Sequence, residues 1–81
     1  MKSYDSRIEV NSHVCGGKPV IKGTRIPVYL ILQMIRDGAS TQTISKEYPR
    51  ITEEDIKAVF DYAIYLLTSD YEEEILLTQA V

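Results

Sequence analysis

The chain has 81 residues, a net charge of −3, 44% hydrophobic and 26% charged residues, a composition typical of one ordinary globular domain. It contains no run of 18 apolar residues, and MKSYDSRIEV has no apolar secretory core, so we expect no membrane span, no export and a cytoplasmic location. A single cysteine excludes an internal disulfide.

Charge is divided unevenly along the chain. Residues 1–50 carry eight Lys or Arg against four Asp or Glu, a net +4, whereas residues 51–81 carry Lys57 against eight acids, a net −7. Such a division indicates halves that face different partners, and a fold in which the two halves attract each other explains it equally well.

The first third of the chain favours extended structure and turns. RIEV, residues 7–10, alternates polar and apolar positions and predicts a short strand. In PVIKGTRIPV, prolines favour extended backbone at the residues before them, and Lys22-Gly23 suits a bend between two short arms. We expect residues 8–27 to form a short β-hairpin or extended arm.

Three helices are predicted next, each with local start or stop signals. Pro27 suits the start of a helix over 28–37, which is apolar almost all round and therefore predicted to be the buried central one, with Gly38 as its stop. A second helix over 41–48 is capped by Ser40 and ended by Pro49.

The third helix, over 53–68, has the best cap in the chain. Thr52 is followed at the capping-box position by Asp55, and Ile51 is placed to pack on Ile56 as a hydrophobic staple. Its predicted core stripe consists of Ile56, Val59, Phe60, Ala63, Ile64 and Leu67. Residues 69–81 follow as a C-terminal tail, which either prolongs this helix or starts a new one.

A buried helix followed by two helices with a tight turn between them predicts a three-helix, homeodomain-like helix-turn-helix bundle. The alternative is a three-helix bundle that enters no DNA groove. Glu53, Glu54 and Asp55 occupy the end of the third helix that would meet DNA, where they would repel phosphates. We therefore expect any DNA contact to come from other residues: Lys18, Lys22, Arg25, Arg36, Lys46 and Arg50.

Catalytic, cofactor and metal sites are not predicted. Gly17-Lys18 is followed by Pro19 instead of the Ser or Thr of a phosphate-binding loop. His13 and Cys15 lack the further His or Cys ligands of a zinc site, and a nucleophilic pair would need a third orienting group. We expect a protein that is not an enzyme.

Two stretches are candidates for a protein interface or a homodimer contact. Tyr62, Tyr65 and Leu66 lie off the predicted core stripe, and tyrosine is a frequent interface residue. In the tail, three glutamates precede a short apolar run that could lie in a groove on a basic protein. The candidate tail residues are Tyr71, Ile75, Leu76 and Leu77. For the tyrosines the alternative is a half-exposed edge of the core, and an interface is favoured. For the tail the alternative is a solvated extension whose apolar residues fold back on the bundle.

CGGKPVIKGTRIPV, DGAST, YP and ITEEDIKAVFDYA together resemble family number 433 of the domains of unknown function, over about residues 8–65. Many of its members are regarded as VapB-like antitoxins with a helix-turn-helix fold. The resemblance implies that this chain neutralises a PIN-like ribonuclease toxin, binds operator DNA as a second ligand, and has no catalytic activity. The alternative is a free-standing dimeric structural or assembly module without a toxin.

Overall fold

The computed structural model describes residues 6–68. In chain order they form strand β1 (Ile8–Glu9), a 3₁₀ turn (Cys15–Gly17), strand β2 (Val20–Ile21) and helices α1 (Val28–Arg36), α2 (Thr41–Glu47) and α3 (Glu53–Thr68). The prediction of a mainly helical protein with a short N-terminal β-structure is confirmed. The predicted C-terminal helical tail lies outside the described residues.

The N-terminal β-structure contains two antiparallel pairings. β1 lies beside β2, with Ile8 opposite Ile21. On the other edge of β2, an isolated antiparallel bridge joins Val20 to Pro27. Both residues of β2 are buried, and Ile21 belongs to the core cluster, which fixes the arm against the helices.

α1 ends at a glycine. Gly38 has a φ of +96°, a conformation that costs other residues steric strain. Its N–H donates to the carbonyl of Ile35 at 3.0 Å, and the N–H of Ala39 donates to that of Met34 at 2.9 Å. These two bonds are the Schellman pattern, which satisfies carbonyls that the end of a helix leaves without partners.

The next two helices begin at side-chain caps. The Oγ of Ser40 accepts from the N–H of Thr43 at 3.1 Å. At α3 the capping box is complete, because Thr52 Oγ1 accepts from the N–H of Asp55 at 3.1 Å and Asp55 Oδ2 accepts from the N–H of Thr52 at 3.0 Å. These bonds align α2 and α3 across the short turn that joins them.

The core lies where β2 meets one side of each helix. Its buried residues form one cluster: Ile21, Val28, Ile31, Ile44, Ile51, Ile56 and Val59. Ile51 and Ile56 are both members, as the staple predicts. The prediction that the first helix is the buried central one holds only in part. α1 buries Val28 and Ile31 and packs Leu32, Met34 and Ile35 against the cluster, but it exposes Tyr29. In a domain this small, each helix is covered on one side.

The predicted core stripe of α3 is correct in its first half and wrong in its second. Ile56 and Val59 are buried, whereas Phe60, Ile64 and Leu67 are exposed. All of the residues that α3 buries precede position 60. The periodicity marks an apolar side of the helix, but the fully buried residues end about two turns into it.

Candidate interaction surfaces

The described residues present two candidate surfaces. The first is a basic surface around the turn of the β2 hairpin, and the second is the C-terminal half of α3. Each contains residues that the sequence marks as candidates.

The turn of the hairpin is held by its own backbone and by Thr24. The N–H of Ile21 donates to the carbonyl of Ile26 at 3.0 Å, and Gly23 adopts a φ of +81° between them. Thr24 Oγ1 donates to the Ile21 carbonyl at 2.7 Å and accepts from the Ile26 N–H at 3.0 Å. The glycine and threonine are thus structural, and they direct the flanking Lys22 and Arg25 outward.

Arg50 brings the α2–α3 turn to this hairpin. Its Nη1 donates to the carbonyl of Gly23 at 3.5 Å, although the two residues are 27 positions apart. Three exposed cations, Lys22, Arg25 and Arg50, therefore gather around one turn. The structure thus assembles half of the six predicted DNA-contact residues into one basic surface.

Lys18 lies near the other end of the hairpin. Its Nζ is 5.3 Å from the ring centroid of Tyr29, within the range of a cation–π contact. Beside it, the Cys15 thiol donates to the Arg25 carbonyl at 3.4 Å. The exposed lysine and the exposed tyrosine add a fourth cation and an aromatic ring to the part of the chain around the hairpin.

The remaining two predicted cations are on other elements. Arg36, in the last turn of α1, donates to both carboxylate oxygens of Asp37, at 3.0 and 3.3 Å. Its charge is therefore matched at the surface. Lys46 is exposed in the last turn of α2.

The N-terminal end of α3 is acidic. Glu53 and Glu54 are exposed there, while Asp55 is buried. Asp55 Oδ1 accepts from Arg7 Nη1 at 2.9 Å, which ties the start of α3 to the residue before β1. This ion pair was not predicted from the sequence, because the capping box accounts for Asp55 locally and nothing local identifies a partner 48 positions away.

The C-terminal half of α3 is apolar and largely exposed. Tyr62 is half-buried and packs against the core, and its ring centroid is 6.5 Å from that of Tyr65. Tyr65 and Leu66 are exposed. The other predicted interface residues, Tyr71, Ile75, Leu76 and Leu77, lie outside the described residues.

His13 and Cys15 are engaged separately. The backbone N–H of His13 donates to Asn11 Oδ1 at 2.9 Å, an Asx turn, and the Cys15 thiol is directed at a carbonyl. Within residues 6–68, no three His, Cys, Asp or Glu side chains come close enough to hold a metal ion. None of the helices in this range has the length and apolarity to cross a membrane.

Comparison with known proteins places these features in a family. An uncharacterised protein of Sinorhizobium fredii, y4eO, is 34% identical over 50 residues, which are 62% of this chain and 23% of that protein. A crystal structure of a DUF433 member from Anabaena variabilis superposes with a TM-score of 0.69 at 32% identity. The superposition covers 88% of this chain and 69% of that one.

The matched part of this chain spans under a quarter of the length of the Sinorhizobium fredii protein. The family model described as "Protein of unknown function (DUF433)" matches residues 8–63, from β1 through the half-buried Tyr62. The match includes the hairpin turn, α2, the caps of α2 and α3, α3 as far as residue 63, and the Arg50 contact. The chain belongs to the DUF433 family.

Proposed function

We propose that this chain is a non-enzymatic antitoxin of a type II toxin–antitoxin system, with a PIN-like ribonuclease as its partner. The single observation that carries the proposal is the exposed apolar end of α3, where Tyr65 and Leu66 lie directly before the acidic and apolar tail. Exposed apolar surface beside an acidic and apolar sequence is typical of a protein-binding surface.

The charge of the tail favours a basic partner. Glu72, Glu73 and Glu74 precede Ile75, Leu76 and Leu77. A ribonuclease must attract a polyanion, so its substrate cleft is basic. An acidic protein segment is attracted to the same cleft and competes with the RNA for it. The apolar run would then bind an adjacent groove on the toxin, while Tyr65 and Leu66 extend the contact onto α3.

Operator DNA is the second proposed ligand. In this proposal α1, α2 and α3 form a helix-turn-helix of homeodomain type, but the acidic start of α3 does not enter a groove. Lys22, Arg25 and Arg50 would bind the phosphates, with Lys18 and Tyr29 beside them. The paired Arg36 and the distant Lys46 would contribute less.

Growth rescue tests the antitoxin role. Expression of the neighbouring open reading frame alone should arrest growth, and co-expression of this chain should restore it. A full-length variant in which Glu72, Glu73 and Glu74 are replaced by Gln should rescue weakly, because it keeps the apolar run and loses the charge. Rescue equal to that of the native chain would contradict the role of the tail charges, and a harmless neighbour would contradict the antitoxin role itself.

The alternative is a free-standing dimeric module without a toxin. The exposed Phe60, Ile64 and Leu67 favour it, because they offer a contact surface that does not involve the tail. The same growth experiment separates the two functions, since only an antitoxin relieves toxicity.

A further inference from the structure

The C-terminal half of α3 extends beyond the buried part of the core, and Tyr62 is its half-buried contact with the cluster. From residue 60 to residue 68 each side chain is exposed or half-buried. Seven of these nine residues are apolar or aromatic, and Asp61 is the only one of the nine with a formal charge. A helix that is apolar all round is normally covered, so this segment is built to be packed against something.

One side of this segment forms a regular stripe, which we call the Phe60 stripe. Phe60, Ile64 and Leu67 follow the i, i+4, i+7 spacing of one helix face and are 42%, 55% and 68% exposed. Leu66 is equally exposed, at 54%, but two residues on from Ile64 it points to a different side of the helix. The stripe is therefore distinct from the Tyr65 and Leu66 surface assigned above to the toxin.

We propose that the Phe60 stripe binds a second copy of this chain, through an antiparallel pair of α3 helices related by a twofold axis. In that arrangement Ile64 contacts its own equivalent, and Phe60 of each copy contacts Leu67 of the other. The stripe is uncharged, so the pairing sets no like charges against each other. A charged partner segment would find no counter-charge in it.

The chain's own tail fits the stripe less well. The first six residues after Thr68 include Asp70, Glu72, Glu73 and Glu74. A chain that reversed direction there would bring these carboxylates against the uncharged Leu67 end of the stripe, where their desolvation is not compensated. A second copy of the stripe brings no carboxylate.

The exposed area predicts a weak dimer. A large side chain presents on the order of 200 Å², so the three exposed fractions amount to on the order of 300 Å² per copy, or about 600 Å² in the pair. Stable interfaces bury about 1,200–2,000 Å². We therefore expect a weak dimer of the transient class, whose formation depends on the concentration of the chain.

Sedimentation equilibrium of the purified full chain, without toxin or DNA, tests this. Between about 5 and about 500 µM the average mass should rise from the 9.2 kDa of one chain toward twice that value. Ile64→Asp should raise the dissociation constant at least about 100-fold, because the interface would bury two facing carboxylates. Leu66→Asp, matched in exposure, should associate like the native chain.

Disulfide trapping provides a second, independent readout. On a Cys15→Ser background, Ile64→Cys should form disulfide-linked dimers on mild oxidation, because the two sulfurs lie at the twofold axis, whereas Leu66→Cys should not. A native chain that stays at 9.2 kDa at the highest concentration would overturn the proposal. The proposal would also be overturned if Leu66→Asp abolished association and Ile64→Asp preserved it. Since no toxin is present, neither result bears on the antitoxin role.

Discussion

At the scale of single residues, Asp55 carries two structural contacts with one side chain. Its Oδ2 completes the capping box of α3, and its Oδ1 accepts from Arg7. A buried carboxylate is stable only where it is paired and hydrogen-bonded, and both conditions hold here. The residue therefore joins the start of the longest helix to the strand that follows Arg7.

We expect Asp55→Ala to lower the free energy of unfolding by about 1 to 2 kcal/mol, of which the lost cap accounts for about 1 and the part-exposed ion pair for less than about 1. Urea denaturation measures this. Glu54→Ala is the matched control, because Glu54 is exposed one position earlier in the same helix, and it should change stability by less than about 0.5 kcal/mol. Equal losses in the two variants would contradict the assigned contacts.

Gly38 is the second residue whose identity the backbone requires. We expect Gly38→Ala to destabilise the chain by about 1 kcal/mol, since alanine at a φ of +96° is strained. Asp37→Ala, one residue earlier at a φ of −86°, is the control and should cost less than about 0.5 kcal/mol in the same denaturation experiment. If Gly38→Ala is as stable as the native chain, α1 does not end in the Schellman pattern.

At the scale of elements, helix ends could be predicted more closely than helix environments. The caps at Ser40 and Thr52 and the stop at Gly38 act within four residues, so a single sequence contains the whole signal. The pairing of Ile8 with Ile21, the Arg7–Asp55 ion pair and the contact of Arg50 with Gly23 join distant positions. Nothing local specifies such partners.

The error in the core stripe of α3 has the same origin. Periodicity shows which residues share a face, but it does not show how many turns of that face the rest of the chain covers. Phe60, Ile64 and Leu67 have the spacing of core residues and are exposed. In the dimer proposed above, they are core residues of the interface between the two copies.

Truncation of Ile56 or Ile64 to valine distinguishes the buried part of α3 from the part that extends beyond the core. Ile56→Val should cost about 1 kcal/mol, because Ile56 is buried in the cluster. The identical change at the exposed Ile64 should cost less than about 0.3 kcal/mol in dilute solution, where the chain is monomeric. Similar costs at both positions would place Ile64 in the monomer core and contradict the exposed stripe.

At the scale of the whole molecule, charge and apolar surface are segregated. Lys22, Arg25 and Arg50 meet at the hairpin turn, and the exposed apolar residues are concentrated after Val59 on α3. A dimer formed through α3 would carry two basic surfaces, which would raise its affinity for a duplex above that of one copy by effective concentration.

Salt dependence of duplex DNA binding tests the basic surface. Arg25→Ala should weaken binding at every salt concentration and reduce the slope of log K against log salt by about 0.9, the value expected for one lost phosphate contact. Arg36→Ala is the control, because Asp37 already matches that charge, and its slope should equal that of the native chain. Fluorescence anisotropy measures both, and a larger change in Arg36→Ala would contradict the assignment.

The antitoxin account is tested most directly by the mass of the complex that co-purifies with a tagged copy of this chain when the adjacent open reading frame is co-expressed. The account predicts a stoichiometric complex of this chain with the product of that reading frame, and loss of that partner in Leu66→Asp. Recovery of this chain alone from the native co-expression would contradict it.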